Sequence, residues 1–171
     1  MNTEHGFTLV ELMITLAIAA ILLTVGVPSF NDFIMDGRLV SQANDFIADL
    51  NLARSTAVKY QRNASICVST SYNTATPACT NGTDWSNGWI VWVDKDRDST
   101  VDASEVVKVR EPFNEAATFT STTTNQITYD SRGFVNMAET FSLCDDRDDE
   151  TGRQITISAS GRPNISQKTD C

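Results

Sequence analysis

Histidine is all but absent from this chain: its single copy, His5, lies just ahead of a long apolar run. If residues 1–6 are a removable leader, the remaining protein contains none. Ser-His and Cys-His catalysis and histidine-ligated zinc then have no residue to work with. Positive charge is also scarce. Lys and Arg number 13 against 22 Asp and Glu, for a formal net charge of −9, and losing residues 1–6 removes only Glu4 and leaves −8. An acidic surface suits solubility outside the cell and on average repels phosphate backbones, so nucleic-acid binding needs a local basic patch acting against the global field. There is no C-x-x-C pair, no internal repeat, no nucleophile–base pair and no cofactor loop. These absences point away from an enzyme.

What the chain does have begins at residue 7. Residues 7–28, FTLVELMITLAIAAILLTVGVP, carry one charge, Glu11, in 22 positions. As a helix rising 1.5 Å per residue this run spans about 33 Å, close to the thickness of a bilayer core. It is too long for an ordinary secretory apolar region, and the small residue that could end a leader, Gly6, precedes it instead of following it. A cut between Gly6 and Phe7 therefore leaves the helix attached to the mature protein. Glu11 is the odd residue, since a carboxylate in hydrocarbon costs about 2.5–3.5 kcal/mol on insertion scales. After the cut, the α-amine of Phe7 lies about one turn from Glu11. That amine, on the same or a neighbouring subunit, is a counter-charge. In a helical bundle the pair sets axial register, because any slip leaves a charge unpaired.

Gly6-Phe7-Thr8-Leu9-Val10-Glu11-Leu12 resembles the class III signal of type IV pilins and type II secretion pseudopilins. The resemblance implies a prepilin peptidase that cleaves after Gly6 and methylates the Phe7 amine, an assembly role for Glu11, and a family proline matched by Pro28. The leader MNTEHG departs from the pattern in lacking Lys or Arg, which weakens the positive-inside cue to orientation.

From Phe30 the pattern turns amphipathic. Phe30, Phe33/Ile34, Val40, Ala43, Phe46/Ile47, Leu50, Ala53 and Ala57/Val58 recur mostly at three- and four-residue steps, with Asp32, Asp36, Arg38, Asp45 and Asp49 mostly between them. We read one helix over about 7–61, kinked or loosened near Gly26-Val27-Pro28 and weakened again at Gly37. The organisation expected is a leader (1–6), a transmembrane and filament-core helix (7–28), its amphipathic continuation (29–62) and a β-rich head (63–171). Candidate strands are 64–69, 88–94, 105–111, 117–121, 126–129, 140–143 and 154–158, with 70–87 and 112–125 mainly loop. The fold class is α+β, a long helix packed on antiparallel sheet. Trp89 and Trp92 should face opposite sides of their strand, one covering the helix and the other meeting solvent or a neighbour.

Later motifs are similar to those of FimT/GspH-like (FimU-like) minor pilins and pseudopilins. These are Leu52-Ala53-Arg54-Ser55-Thr56-Ala57-Val58, Trp85-x-x-Gly88-Trp89-Ile90-Val91-Trp92 with its Asp-rich turn, Leu143-Cys144-Asp145-Asp146-Arg147, and Ile155-Thr156-Ile157-Ser158 leading to Gly161-Arg162. This resemblance implies a non-enzymatic minor pilin that contributes to pilus assembly and priming, at or near the filament tip. Its partners would be other major and minor pilins or pseudopilins, the prepilin peptidase and the inner membrane. The protein would cross that membrane once, with its head in the periplasm, before entering the filament. A minor pseudopilin of a type II secretion system is the nearest alternative.

Three further features carry candidate chemistry. Asp94, Asp96, Asp98, Asp102 and Glu105 occupy positions 1, 3, 5, 9 and 12 of an EF-hand calcium loop, and Thr100 could offer a carbonyl at position 7. Ser99 stands where that loop has glycine, and the flanks read as strands. The plainer reading is an acidic hairpin turn held open by solvent. At the C-terminus, Gly161-Arg162-Pro163-Asn164 resembles the Gly-Arg-x-Arg element of DNA-binding FimT-type pilins, but Asn164 replaces the second arginine, so only Arg162 carries over. Residues 144–171 hold six acids and four bases, which argues against DNA in favour of a structural turn. All four cysteines, Cys67, Cys79, Cys144 and Cys171, follow the membrane segment, and an even number in an exported domain favours disulfides over zinc. Of the three possible connectivities, Cys67–Cys79 and Cys144–Cys171 join sequence neighbours and are the expected pair.

Overall fold

Rich in Leu, Ala, Ile and Met, the chain from Leu9 onward forms α1 (Leu9–Tyr60), 52 residues of helix, in a computed structural model that describes residues 6–113, 117–147 and 151–171. The helix continues through Gly26, Pro28 and Gly37. Proline removes one backbone donor there without ending the helix. The chain divides into two units, Met1–Arg38 and Leu39–Cys171. In the first, every described residue up to Ile34 is exposed. The buried row of α1 starts in the second unit, at Leu39, and runs through Ala43, Phe46, Leu50, Ala53 and Ala57 at alternating four- and three-residue steps. The stripe expected from Phe30 is therefore corrected. Phe30, Phe33, Ile34, Val40 and Val58 are all exposed; Leu39, not Val40, falls on the line through Ala43 and Phe46.

Eight strands follow: β1 (Ala64–Val68), β2 (Trp89–Val93), β3 (Val106–Arg110), β4 (Thr118–Ser121), β5 (Gln126–Tyr129), β6 (Glu139–Cys144), β7 (Gly152–Ile157) and β8 (Pro163–Lys168). They form two four-stranded sheets, ordered β3-β2-β1-β5 and β4-β6-β7-β8. Every pairing is antiparallel. The architecture is the expected α+β one, with a helix packed on antiparallel sheets. One strand is an addition to it: residues 163–168 pair with β7 from Ile157↔Pro163 to Gly152↔Lys168, where a turn and tail were expected. Pro163 is tolerated because it is the first residue of an edge strand.

Trp89, Val91 and Val93 of β2 face the main core, whereas Ile90 and Trp92 join Cys67 in a smaller cluster on the other side. Trp92 does not meet solvent. Tyr72, Cys79, Val101 and Val106 cover it. The main core is organised around Phe46 of α1, whose ring lies 4.8 Å from Phe119 and from Phe141, 5.2 Å from Trp89 and 5.4 Å from Trp85, all edge-on. Such pairs contribute about 0.5–1.5 kcal/mol each beyond the area they bury.

The disulfides are Cys67–Cys79 and Cys144–Cys171, with Cα atoms 5.6 Å and 5.7 Å apart. The first closes the loop after β1, and the second ties the last residue to β6. Each is of the kind that contributes about 2–4 kcal/mol by restricting the unfolded chain.

Candidate functional site

At the start of α1, Gly6, Phe7 and Thr8 lie ahead of the first helical turn, and Phe7 is 84 % exposed. The bond after Gly6 thus sits in non-helical, open chain; residues 1–5 of the expected leader lie outside the described residues. Thr8 and Glu11 cap the helix reciprocally. The Glu11 amide donates to Thr8 Oγ1 at 3.2 Å, and Glu11 Oε2 accepts from the Thr8 amide at 3.2 Å and its hydroxyl at 3.3 Å. This capping box satisfies two amides that the first turn leaves without helical partners. Its signature, Thr-x-x-Glu before an apolar run, stands in the sequence, yet only the charge of Glu11 suggested a role for it. The residue has two separable properties: an oxygen that caps its own helix, and a charge that the cap does not use up.

Beyond Glu11 no charged residue occurs before Asp32. The helix contains a segment long and apolar enough to cross a bilayer, and none of that segment is buried.

The acidic turn between β2 and β3 has more structure than a solvated hairpin needs. Carboxylate oxygens of Asp94, Asp96 and Asp98 all lie within 4.8 Å of one another, with Asp94 buried and the other two exposed. Thr100 donates to Asp98 through its amide at 2.7 Å and its hydroxyl at 2.6 Å. These bonds, the hydroxyl first, hold the Asp98 carboxyl below its ordinary pKa. Asp98 in turn donates its amide to Asp96 Oδ1 at 3.2 Å. Arg97 and Ser99 both adopt left-handed backbone, with φ of 71° and 62°, so Ser99 takes the conformation that glycine serves in an EF-hand loop. Glu105 is buried at the far end and its Oε1 accepts from the Lys95 amide. Asp102 is exposed, and its carbonyl accepts from the Glu105 amide at 2.9 Å.

Arg162 sits in the turn joining β7 to β8. Gly161 has φ of 74°, and a Cβ there would come 2.9 Å from the Tyr129 ring, so the turn requires glycine. Arg162 is exposed and, among the described residues, has no side-chain partner. The other bases of the segment are engaged. Arg147 pairs with Asp145 at 2.7 Å, Lys168 pairs with Asp170 at 2.8 Å, and Arg153 donates to the carbonyls of Thr151 and Gly152. Asp148, Asp149 and Glu150, counted among the acids here, lie outside the described residues. Asn164 is exposed within β8, opposite Thr156.

One constellation escaped the sequence reading. Asp49, expected on the polar side of α1, is only 3 % exposed. Its Oδ2 accepts from Trp89 Nε1 at 3.0 Å and from Arg110 Nε at 3.1 Å, while Arg110 Nη1 reaches Asp45 at 3.4 Å. The arrangement pins α1 to β2 and β3, with the Asp45 carboxylate half exposed at its edge. Its role is structural.

Residues 42–161 match the family model described as type II transport protein GspH, and residues 1–27 match the prokaryotic N-terminal methylation motif. Two crystal structures of FimU, a type IV minor pilin of Pseudomonas aeruginosa, share the fold at 23 % identity. One has a TM-score of 0.63, covering 81 % of this chain and 98 % of that one; the other, in a second crystal form, has 0.59, covering 77 % and 98 %. The chain belongs to the GspH family of type IV minor pilins and pseudopilins. It is a structural family, not an enzymatic one, and its members assemble with other pilins or pseudopilins.

Proposed function

We propose that this chain is a minor type IV pilin that helps to prime and assemble the pilus, at or near the filament tip. Prepilin peptidase cuts after Gly6, and Phe7 becomes the methylated N-terminus. Residues 7–28 hold the subunit in the inner membrane, with the head, residues 63–171, in the periplasm. On assembly, the apolar side chains of α1 exchange lipid for the corresponding helices of neighbouring pilins. The observation that carries this reading is Glu11, the one charge before Asp32 in a helix whose apolar residues are exposed from Leu9 to Ile34. A bundle of such helices gains by burying them and is held in register by pairing that charge with a Phe7 amine.

The capping box makes the test specific. Glu11→Gln keeps an oxygen for the Thr8 amide, as capping boxes accept either residue, but removes the charge. We expect membrane insertion and subunit level to be unchanged. Incorporation into sheared pili should fall about tenfold or more, since each ~1.4 kcal/mol of lost pairing is a factor of ten. Normal incorporation of Glu11→Gln would reduce Glu11 to a helix cap and sink the register argument.

The family model's description favours one second reading, a minor pseudopilin of a type II secretion system. A deletion strain separates the two, by loss of surface pili in one case and loss of protein secretion in the other. DNA binding is left out of the proposal, because Arg162 is a single cation in a segment whose other bases are already engaged.

A further inference from the structure

We propose that the turn between β2 and β3 is a calcium site, built on the carboxylates of Asp94, Asp96 and Asp98. Oxygens bound to one calcium ion at 2.3–2.6 Å are at most about 4.6–5.2 Å apart. The three aspartates, whose oxygens lie within 4.8 Å of one another, are close enough to meet on one ion.

The independent observation is a pair of buried oxygens that lack donors. Asp94 is 7 % exposed and Glu105 3 %, yet Asp94 Oδ1 and Glu105 Oε2 have no hydrogen-bond partner among the described residues. A buried carboxylate oxygen without a donor loses its hydration and regains nothing. Asp94 directs its carboxylate into the trio itself, while Glu105 sits at the loop's root with its other oxygen on the Lys95 amide. A cation held by the trio would give the buried Asp94 carboxylate the partner it lacks.

The chain's own cations do not fill that role. Residues 94–105 hold five acids and two bases, Lys95 and Arg97. Lys95 Nζ is committed to the Ser104 carbonyl at 2.6 Å. Arg62 and Arg97 line a cleft of about 270 Å³ together with Asp94. Among the described residues, though, no Lys or Arg nitrogen forms an ion pair with any of the five acids. All the protein donors are hard oxygens in an open loop, which suits calcium better than the tight octahedron of magnesium. The same loop contributes Val101 to the cover over Trp92, so binding should be felt by that indole.

The test uses the full chain in detergent micelles, stripped with a chelator and titrated with calcium chloride. Tryptophan fluorescence and thermal melting are followed. We expect saturable binding with Kd on the order of 10⁻⁴–10⁻³ M, as in extracellular calcium modules. At ~5 mM calcium the melting temperature should rise by about 3–6 °C and return with chelator. Asp98→Asn should weaken binding about tenfold or more, as removal of a charged ligand does, with its own melting in chelator as the baseline because one of the two Thr100 bonds is lost. Asp96→Asn gives the same reading should that variant fail to fold. No saturable response in the parent overturns the proposal, as does unchanged affinity in both variants or an equal response to magnesium.

Discussion

The two stretches of α1 are similarly rich in apolar side chains and use them in opposite ways. Before Arg38, Leu9, Val10, Leu16, Ile21 and Phe33 are between 62 % and 74 % exposed; after it, Ala43, Phe46, Leu50 and Ala53 are fully buried. What separates them is the residue between the apolar ones. The second stretch alternates them with polar side chains, so one face can be covered by sheet and the other can stay wet. The first has no charge between Glu11 and Asp32, and every described residue up to Ile34 is exposed. Under the proposed function, its partners are lipid and the same surface of other subunits. The head carries its own stability, and the front of the helix borrows its environment.

The largest expected effect sharpens that contrast. Phe46→Ala removes the ring that four other aromatics surround, and it should destabilise the head by about 3–5 kcal/mol. Ile14→Ala, a comparable truncation at an exposed position of the first stretch, should leave the head's melting within about 0.5 kcal/mol. Urea unfolding of both variants in micelles, followed by tryptophan fluorescence, measures the difference. Equal losses would break the comparison, because the front of the helix would then be part of the head's folding unit.

Next in size is Asp49. Replacing it with Ala leaves Trp89 Nε1 without an acceptor and Arg110 with only the longer contact to Asp45. About 2–3 kcal/mol of head stability should go with it. Asp49→Asn, which keeps an oxygen for one of the two donors, should lose less. The ratio of the two losses, read from urea midpoints, tells how much of the anchor is charge and how much is hydrogen bonding.

Asp49 also shows where reading the sequence stops. Repeating features were legible: the apolar run, the three- and four-residue steps from Ala43 onward, seven strands between turn-forming segments, and both cysteine pairs. Features decided by distant partners were not. Asp49 sits beside a buried row as a solvent-side acid would, and its burial depends on residues 40 and 61 positions away. β8 reads as tail because Pro-Asn-Ile-Ser-Gln-Lys has little strand character of its own; pairing with β7 makes it a strand. Trp92 was expected to reach solvent or a neighbour, since no local pattern shows that Tyr72 and Val101 close over it. The acidic turn was visible as a spacing, whereas its two orphaned oxygens belong to the fold.

The smallest effect concerns the head's counterpart to Glu11, a polar atom in an apolar setting. Tyr129 is wholly buried in the main core, and its hydroxyl has no hydrogen-bond partner among the described residues. Burial pushes its pKa up to about 12 from 10.0, with the Arg54 charge pulling weakly the other way. A folded pKa above the unfolded one means that the neutral form is favoured in the fold. The contribution is therefore complete below pH 10 and lost as pH rises through about 12. Tyr129→Phe should be neutral or stabilising by up to about 1 kcal/mol at pH 7, because it removes an unpaired hydroxyl and little volume. Between pH 10 and 12 it should also lose less stability than the parent. Urea midpoints at neutral pH and near pH 11 measure both effects. A clear loss at pH 7 would mean that the hydroxyl has a partner, and the head would then resemble the start of α1, where Glu11 is capped by Thr8, more closely than its core suggests.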